Sequence, residues 1–267
     1  MRLAVMSDIH GNAPALESVL ADIERSAVDL IYVLGDVVNG GPEPEACWSL
    51  VRDRADGILR GNHERYVLSA LAHDPGFAEE AWGPAHWTAA RLSRTALDEI
   101  AALPEAIALD ALPQDGTGTL LCHASPRRDD DMIVPGTPVE HVLAMLASVD
   151  QANVVRGHNH EAFECAVAGI RLIAIGAVGL SFGEQPSAEY AILETAADGW
   201  RVQHRRVPYD VEATLRACRD TGYLDEAGPV ARLFVAEIAT ARPHLGPFMR
   251  TFYEPSQHES LRDAVHR

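Results

Sequence analysis

The residues able to do chemistry sit where apolar runs stop. Leu3-Ala4-Val5-Met6 gives way to Ser7-Asp8-Ile9-His10-Gly11-Asn12, and Leu30-Ile31-Tyr32-Val33-Leu34 gives way to Gly35-Asp36. Gly57-Ile58-Leu59-Arg60 meets Gly61-Asn62-His63-Glu64, Thr119-Leu120-Leu121-Cys122 meets His123, and Asn153-Val154-Val155-Arg156 meets Gly157-His158-Asn159-His160. Carboxylates, imidazoles and an amide oxygen are donors that suit divalent transition metals, and a carboxylate can bridge two of them. Two ions roughly 3.5–4 Å apart clamp the attacking and leaving oxygens of a phosphoryl transfer. A lone Asp-x-His or Gly-Asp means little. Their joint occurrence is what points to a metal site.

These tips need elements that bring them together. Side chains alternate in direction along a strand, so Asp8 and His10 are expected on one side of a strand end. Ala15, Leu16, Val19, Leu20 and Ile23 mark one face of a helix from Ala13. The continuous run Leu30–Leu34 suits a strand covered on both faces, and the prolines of Pro42-Glu43-Pro44 suit the mouth of a helix ending near Val51. This alternation of strand and helix predicts a parallel α/β sheet, whose strand carboxyl ends converge on one crevice.

Residues 64–103 read as helical, with breaks near Asp74-Pro75-Gly76 and Gly83-Pro84, and Ala106–Leu109 as a strand. A helix over Val139–Leu146 precedes Asn153–Arg156. The strands Phe163–Val167, Arg171–Ile175, Tyr190–Glu194 and Arg201–Arg206 follow with no helix between them. The later part is thus more antiparallel, and two facing mixed sheets flanked by helices are expected. Helices over Val211–Arg219, Val230–Thr240 and Pro243–Phe252 precede a polar tail, Pro255–Arg267. Their apolar positions, such as Leu233, Phe234 and Ile238, need burial. The expected organisation is a domain over 1–208 and a C-terminal helical extension over 209–267 packed on it.

The chain has 267 residues and a net charge of -17, and its 22 basic residues are all Arg. Such a surface repels phosphate backbones, which argues against extended nucleic-acid binding. It leaves room for a small phosphorylated ligand, because a bound cation reverses the field locally. Cys47, Cys122, Cys165 and Cys218 show no paired spacing and read as reduced thiols. The first apolar run is too short for a signal peptide, and no stretch reaches membrane-spanning length. A cytoplasmic protein is expected, with a homo-oligomer left open.

Taken together and in order, Asp8-x-His10, Gly35-Asp36, Gly61-Asn62-His63-Glu64, the His123 that follows a strand, and Gly157-His158-x-His160 resemble the five signature blocks of the calcineurin-like metallophosphoesterases. The turn Gly35–Pro44 and His123-Ala124-Ser125-Pro126 are similar to the small bacterial and archaeal branch. The resemblance implies an αββα sandwich in which Asp8, His10 and His160 hold one metal, Asn62, His123 and His158 hold a second, and Asp36 bridges them. His63 would protonate the leaving oxygen or stabilise its charge. A hydroxide shared by the two ions would attack phosphorus, with no phospho-enzyme. Manganese is favoured among Mn, Fe, Zn and Ni.

The family's protein phosphatases carry Asp-Arg-Gly after the second block. Val38-Asn39-Gly40-Gly41 stands here, which lowers the phosphoprotein reading. Ile175-Gly176-Ala177-Val178-Gly179 stands where branch members carry Asn-Pro-Gly-Ser. Asn12, Arg65 and Arg127 are candidate substrate contacts. Asn12 and Glu64 are also expected to orient ligands, with cap or turn roles as the alternative; Arg128, a further candidate for phosphate, precedes Asp129-Asp130-Asp131, so a surface ion-pair cluster is the alternative there, the triplet itself being taken as a solvated loop. The function expected is hydrolysis of small nucleotide-like phosphate esters, with a slight lean to diesters. Nucleotide pyrophosphatase and protein phosphatase activity, an inactive scaffold and a single structural ion remain alternatives.

Overall fold

The computed structural model describes residues 1–77, 80–113, 117–197, 199–249 and 251. Ten strands form two five-stranded mixed sheets. The first contains β1 (Arg2–Met6), β2 (Leu30–Val33), β3 (Gly57–Ile58), β9 (Ala188–Ala196) and β10 (Gly199–Val207), in the order β10-β9-β1-β2-β3. The second contains β4 (Ala106–Leu109), β5 (Thr119–Cys122), β6 (Asn153–Arg156), β7 (Phe163–Val167) and β8 (Ile170–Ala174), in the order β4-β5-β6-β8-β7. β1, β2 and β3 run parallel, as do β5, β6 and β8. The remaining pairs are antiparallel.

The alternation of β1 divides the core. Leu3 and Val5 point between the sheets, where they meet Leu34, Leu121, Val155, Ile173 and Leu193. Ala4 and Met6 point the other way, into a layer built on α1 (Ala13–Arg25), α2 (Pro44–Arg54), α3 (Asn62–Leu71), α4 (Gly83–Ala89) and α5 (Arg94–Ala101). Outside the second sheet, Val142 of α6 (Val139–Met145) covers Cys122, Val154 and Leu172. Strands buried on both faces explain the unbroken apolar runs. The breaks expected in 64–103 fall between α3, two short 3-10 turns and α4.

Four helices follow: α7 (Val211–Asp220), α8 (Tyr223–Glu226), α9 (Ala231–Thr240) and α10 (Leu245–Phe248). α7 packs on α1, α8 packs on α4, and Phe234 and Ile238 of α9 share an apolar cluster with Leu180 and Val230. The four-residue α8 has no counterpart in the sequence reading. The polar tail expected over Pro255–Arg267 lies outside the described residues, as does the end of the segment expected over Pro243–Phe252. Among the described residues, no helix is long and apolar enough to cross a membrane.

Arg156, at the end of β6, is fully buried. Its guanidinium donates to the carbonyls of Ala124, Ile133 and Asp131 and to the Asn159 amide oxygen. Burial pushes its pKa down to about 10, still charged at neutral pH. It ties the loop after β5 to the loop after β6. Arg156→Met should lower stability by on the order of 3 kcal/mol, because buried acceptors lose their donor at about 1–3 kcal/mol each while the desolvated charge is also removed. A lower urea midpoint at unchanged slope would show it. An unchanged midpoint would mean the loops hold each other without Arg156.

Candidate functional site

Asp8, His10, Asp36, Asn62, His63, His123, His158 and His160 meet at one end of the sandwich, where the parallel strands of both sheets stop. The reason for their convergence is not strand alternation. β1 ends at Met6, so Asp8 and His10 lie in the following loop, and both adopt left-handed backbone conformations, with φ of 56° and 51°. Asp36 (53°), His158 (73°) and His160 (60°) do the same. Five of the nine non-glycine residues with positive φ among those described thus fall on this cluster. The conformation costs roughly 1–2 kcal/mol per L-residue and persists only where surrounding structure enforces it.

That structure is identifiable. Glu64, at the third position of α3, accepts hydrogen bonds from the backbone N–H groups of Gly61 (2.8 Å), Asp36 (2.7 Å), Val37 (2.7 Å) and Val38 (3.2 Å). It locks the Asp36 turn to the mouth of α3. Asn12 caps α1 through Ala15 N–H and joins it to Gly179 and Thr214. The Val178 and Gly179 N–H groups close on the Ser7 and Asp8 carbonyls. Two glycines allow backbone to touch the carboxylates: a Cβ at Gly61 would strike Asp36 Oδ1, and one at Gly157 would strike Ser7 Oγ and Asp8 Oδ2.

Three imidazoles are oriented alike. Nδ1–H of His10 donates to Asn39 O (2.6 Å), that of His123 to Leu34 O (2.6 Å) and that of His160 to Leu180 O (2.8 Å). Each therefore turns Nε2 into the cluster, which is how metal-binding histidines are usually braced. His123 Nε2 lies 3.2 Å from Asp36 Oδ2, and His160 Nε2 lies 3.4 Å from Asp8 Oδ1. Backbone also holds the second oxygen of each carboxylate: His63 N–H donates to Asp36 Oδ1 (2.8 Å), and His158 N–H to Asp8 Oδ2 (3.0 Å).

Burial and the neighbouring His63 push His10 down to about 3, and burial with His123 does the same to His158. Burial works against the charge of His123 and His160 too, yet Asp36 lifts His123 to about 9 and Asp8 lifts His160. Burial likewise opposes ionisation of Asp8 and Asp36, but His160 and His123 hold both carboxyls below the usual range.

Two contacts test whether this donor set fits a cation. His10 Nε2 and His160 Nε2 stand 3.2 Å apart with both Nδ1 protons already engaged. In their neutral forms these are two facing lone pairs. The Asn62 oxygen lies 2.9 Å from His123 Nε2, 3.0 Å from His158 Nδ1, 3.3 Å from Asp36 Oδ2 and 3.2 Å from Asp129 O. Without a cation, a proton or a turned amide must fill these gaps. A divalent ion satisfies them with the oxygen inward. The ligand atoms of Asp8, His10 and His160 lie within 4.8 Å of one another, as do those of Asp36, His123 and His158. The residues fit bound metal.

His63 faces the cluster too, with a ring nitrogen within 4.8 Å of the ligand atoms of His10 and Asp36. Its ring packs edge-on to His10, and its Nδ1 accepts from the Asn39 amide (3.0 Å), which leaves the proton of the neutral ring on Nε2. Asn39 therefore orients two imidazoles at once, a role its place in a Gly-Pro turn did not signal. Arg65 is paired with Asp129 through two bonds of 2.7 Å, and Arg127 with Asp131 at 2.6 and 2.9 Å. Asp131 is buried and also accepts from Ser125 Oγ, so the acidic triplet is an ion-pair network rather than a solvated loop.

The family model of the calcineurin-like phosphoesterase superfamily domain matches residues 1–198. A crystal structure of a metallophosphoesterase from Sphaerobacter thermophilus superposes with a TM-score of 0.70 at 27% identity, covering 90% of this chain and 100% of that one. The phosphodiesterase YfcE of Escherichia coli is 36% identical over 85 residues, 28% of this chain and 46% of its own. A symmetrical bis(5'-nucleosyl)-tetraphosphatase of Delftia acidovorans is 37% identical over 73 residues, 26% of each chain. These matches span less than half the length of the curated relatives.

Glu64→Ala should lower stability by about 3 kcal/mol or more, because four N–H groups lose their acceptor. Chemical denaturation measures it, and a loss below about 1 kcal/mol would show that Glu64 does not hold the turn.

Proposed function

We propose that this chain, which belongs to the calcineurin-like phosphoesterase superfamily, is a metal-dependent hydrolase of small phosphate esters, diesters before monoesters. The observation that carries the reading is the facing of imidazole, carboxylate and amide lone pairs across one buried space. Asp8, His10 and His160 would hold one divalent ion and Asn62, His123 and His158 another, with Asp36 between them. Nitrogen and oxygen donors suit Mn, Fe, Zn or Ni, and manganese is favoured. Bound ions would supply Lewis acidity and lower the pKa of water toward neutrality. The names of the curated relatives, a phosphodiesterase and a nucleosyl tetraphosphatase, support a small nucleotide-like substrate. We read 1–208 as the catalytic unit and 209–267 as an extension packed on it.

The chain's own donor at the leaving oxygen is His63. Burial keeps the pKa of His63 below its ordinary value, so the ring is neutral at physiological pH. Asn39 holds its Nδ1, and the backbone N–H of His63 is fastened to Asp36. The Nε2–H is thereby available to donate a hydrogen bond to the departing oxygen and to stabilise the charge that develops there; transferring a proton to it would take the imidazolium form.

Manganese-loaded protein should hydrolyse bis-(p-nitrophenyl) phosphate faster than p-nitrophenyl phosphate, and chelation should abolish both activities. Faster monoester turnover would reverse the preference. His63→Ala should lower kcat by about 10²–10⁴-fold at unchanged metal content. A loss below threefold would remove His63 from the reaction.

A further inference from the structure

We infer that the cavity beside His63 receives the organic part of the ester and selects one that carries a planar aromatic ring, a nucleobase being the biological ring of that kind. This rests on the phosphoester reading and adds the class of group attached to the phosphate. The cavity has a volume of about 380 Å³, within the range of small-ligand sites. It opens from Asn39, Asn62 and His63, so whatever fills it is continuous with a group held at the cluster.

Beyond the polar end, where Asp130 and His158 also border it, its walls are largely apolar and include the rings of Tyr66, Trp82 and Phe234 with Leu245, Met132 and Met249. The rings already pack against one another in tilted and edge-on contacts. Tyr66 lies 5.3 Å from His63 and 4.9 Å from Trp82 between centroids, and Phe77 backs Trp82 at 4.3 Å. Phe234 lies 5.9 Å from His63 on the opposite flank. Such faces attract a flat π-system by offset or edge-on contact beyond simple area burial. Met132 is half exposed, which leaves apolar surface for a ligand to cover and offers the adaptable packing of a thioether. The Trp82 indole N–H is buried and, among the described residues, has no hydrogen-bond partner. A buried donor of that kind is stabilised by an acceptor on the ligand, and a ring nitrogen or carbonyl of a heterocycle is one.

Of the two other cavities that border the cluster, one runs along His10, Asp36, His158 and His160 and shares Met132, Phe234 and Leu245 with this cleft, and the other differs in kind. It touches His123 and is lined largely by charges, Arg65 pairing with Asp129 and Asp130, Arg128 with Asp130, and Arg127 with Asp131. No Phe, Tyr or Trp lines it. Phe234, Leu245 and Met249 all come from the C-terminal helices, so these helices shape the substrate cleft as well as covering the core.

The test is calorimetric binding of phenylphosphonate and methylphosphonate to the manganese-loaded full-length chain. The two share one head group, differ by a planar ring and contain no ester to hydrolyse. Phenylphosphonate should bind at least tenfold tighter. Trp82→Ala and Phe234→Ala should each shrink that ratio to threefold or less, with methylphosphonate affinity changed less than twofold, and Trp82→Phe should keep most of the ratio. Equal affinity of the two phosphonates for the wild type, or an unchanged ratio in both alanine variants, overturns this inference alone. Failure of both to bind overturns it together with the phosphoester reading. Binding without turnover of any phosphate ester overturns only the latter.

Discussion

Lone pairs that face one another in a buried space repel unless positive charge lies between them, and this constraint organises the molecule. Two imidazole Nε2 atoms stand 3.2 Å apart, and an amide oxygen is ringed by four acceptors. A protein interior screens such repulsion poorly. Asp36 and Asp8 favour the charged forms of His123 and His160 against the pull of burial, which works against that repulsion. Divalent ions would do so more completely, because each meets several donors at once.

Holding the donors in that arrangement requires work elsewhere in the fold. Five left-handed residues store strain, and the compensating contacts come from backbone and helix ends rather than from more ligands. Carbonyls of Leu34, Asn39 and Leu180 aim three rings. Glu64 gathers four N–H groups from two loops, and Arg156 joins two others. The loops that carry the candidate chemistry are therefore fastened by single buried polar groups, and the sandwich beneath supplies a rigid base through the apolar layers on both faces of β1.

Much of this was legible in the residue order. Apolar runs ending in Asp, Asn and His marked the strand tips, and the absence of helices between Phe163 and Arg206 marked the second, more antiparallel half. What could not be read was local geometry. Alternation along β1 offered a sufficient reason for Asp8 and His10 to align, but the chain leaves the strand at Met6 and turns left-handed, a conformation that residue type alone does not announce. Asn39 looked like part of a turn because its two orienting contacts depend on where α3 and β1 end. The acidic triplet looked solvated because one of its partners, Arg65, comes from α3, and the burial of Asp131 against Ser125 and Arg127 depends on how the loop after β5 folds back. The aromatic wall arises from three distant segments, so no window of sequence contains it.

The central claim is that two cations occupy this cluster, with Asp36 shared between them. Elemental analysis of protein equilibrated with excess manganese and then desalted measures it most directly. The account predicts two ions per chain, and no more than one in Asp36→Asn. A single ion per chain in the wild type at saturation, or none, would contradict it.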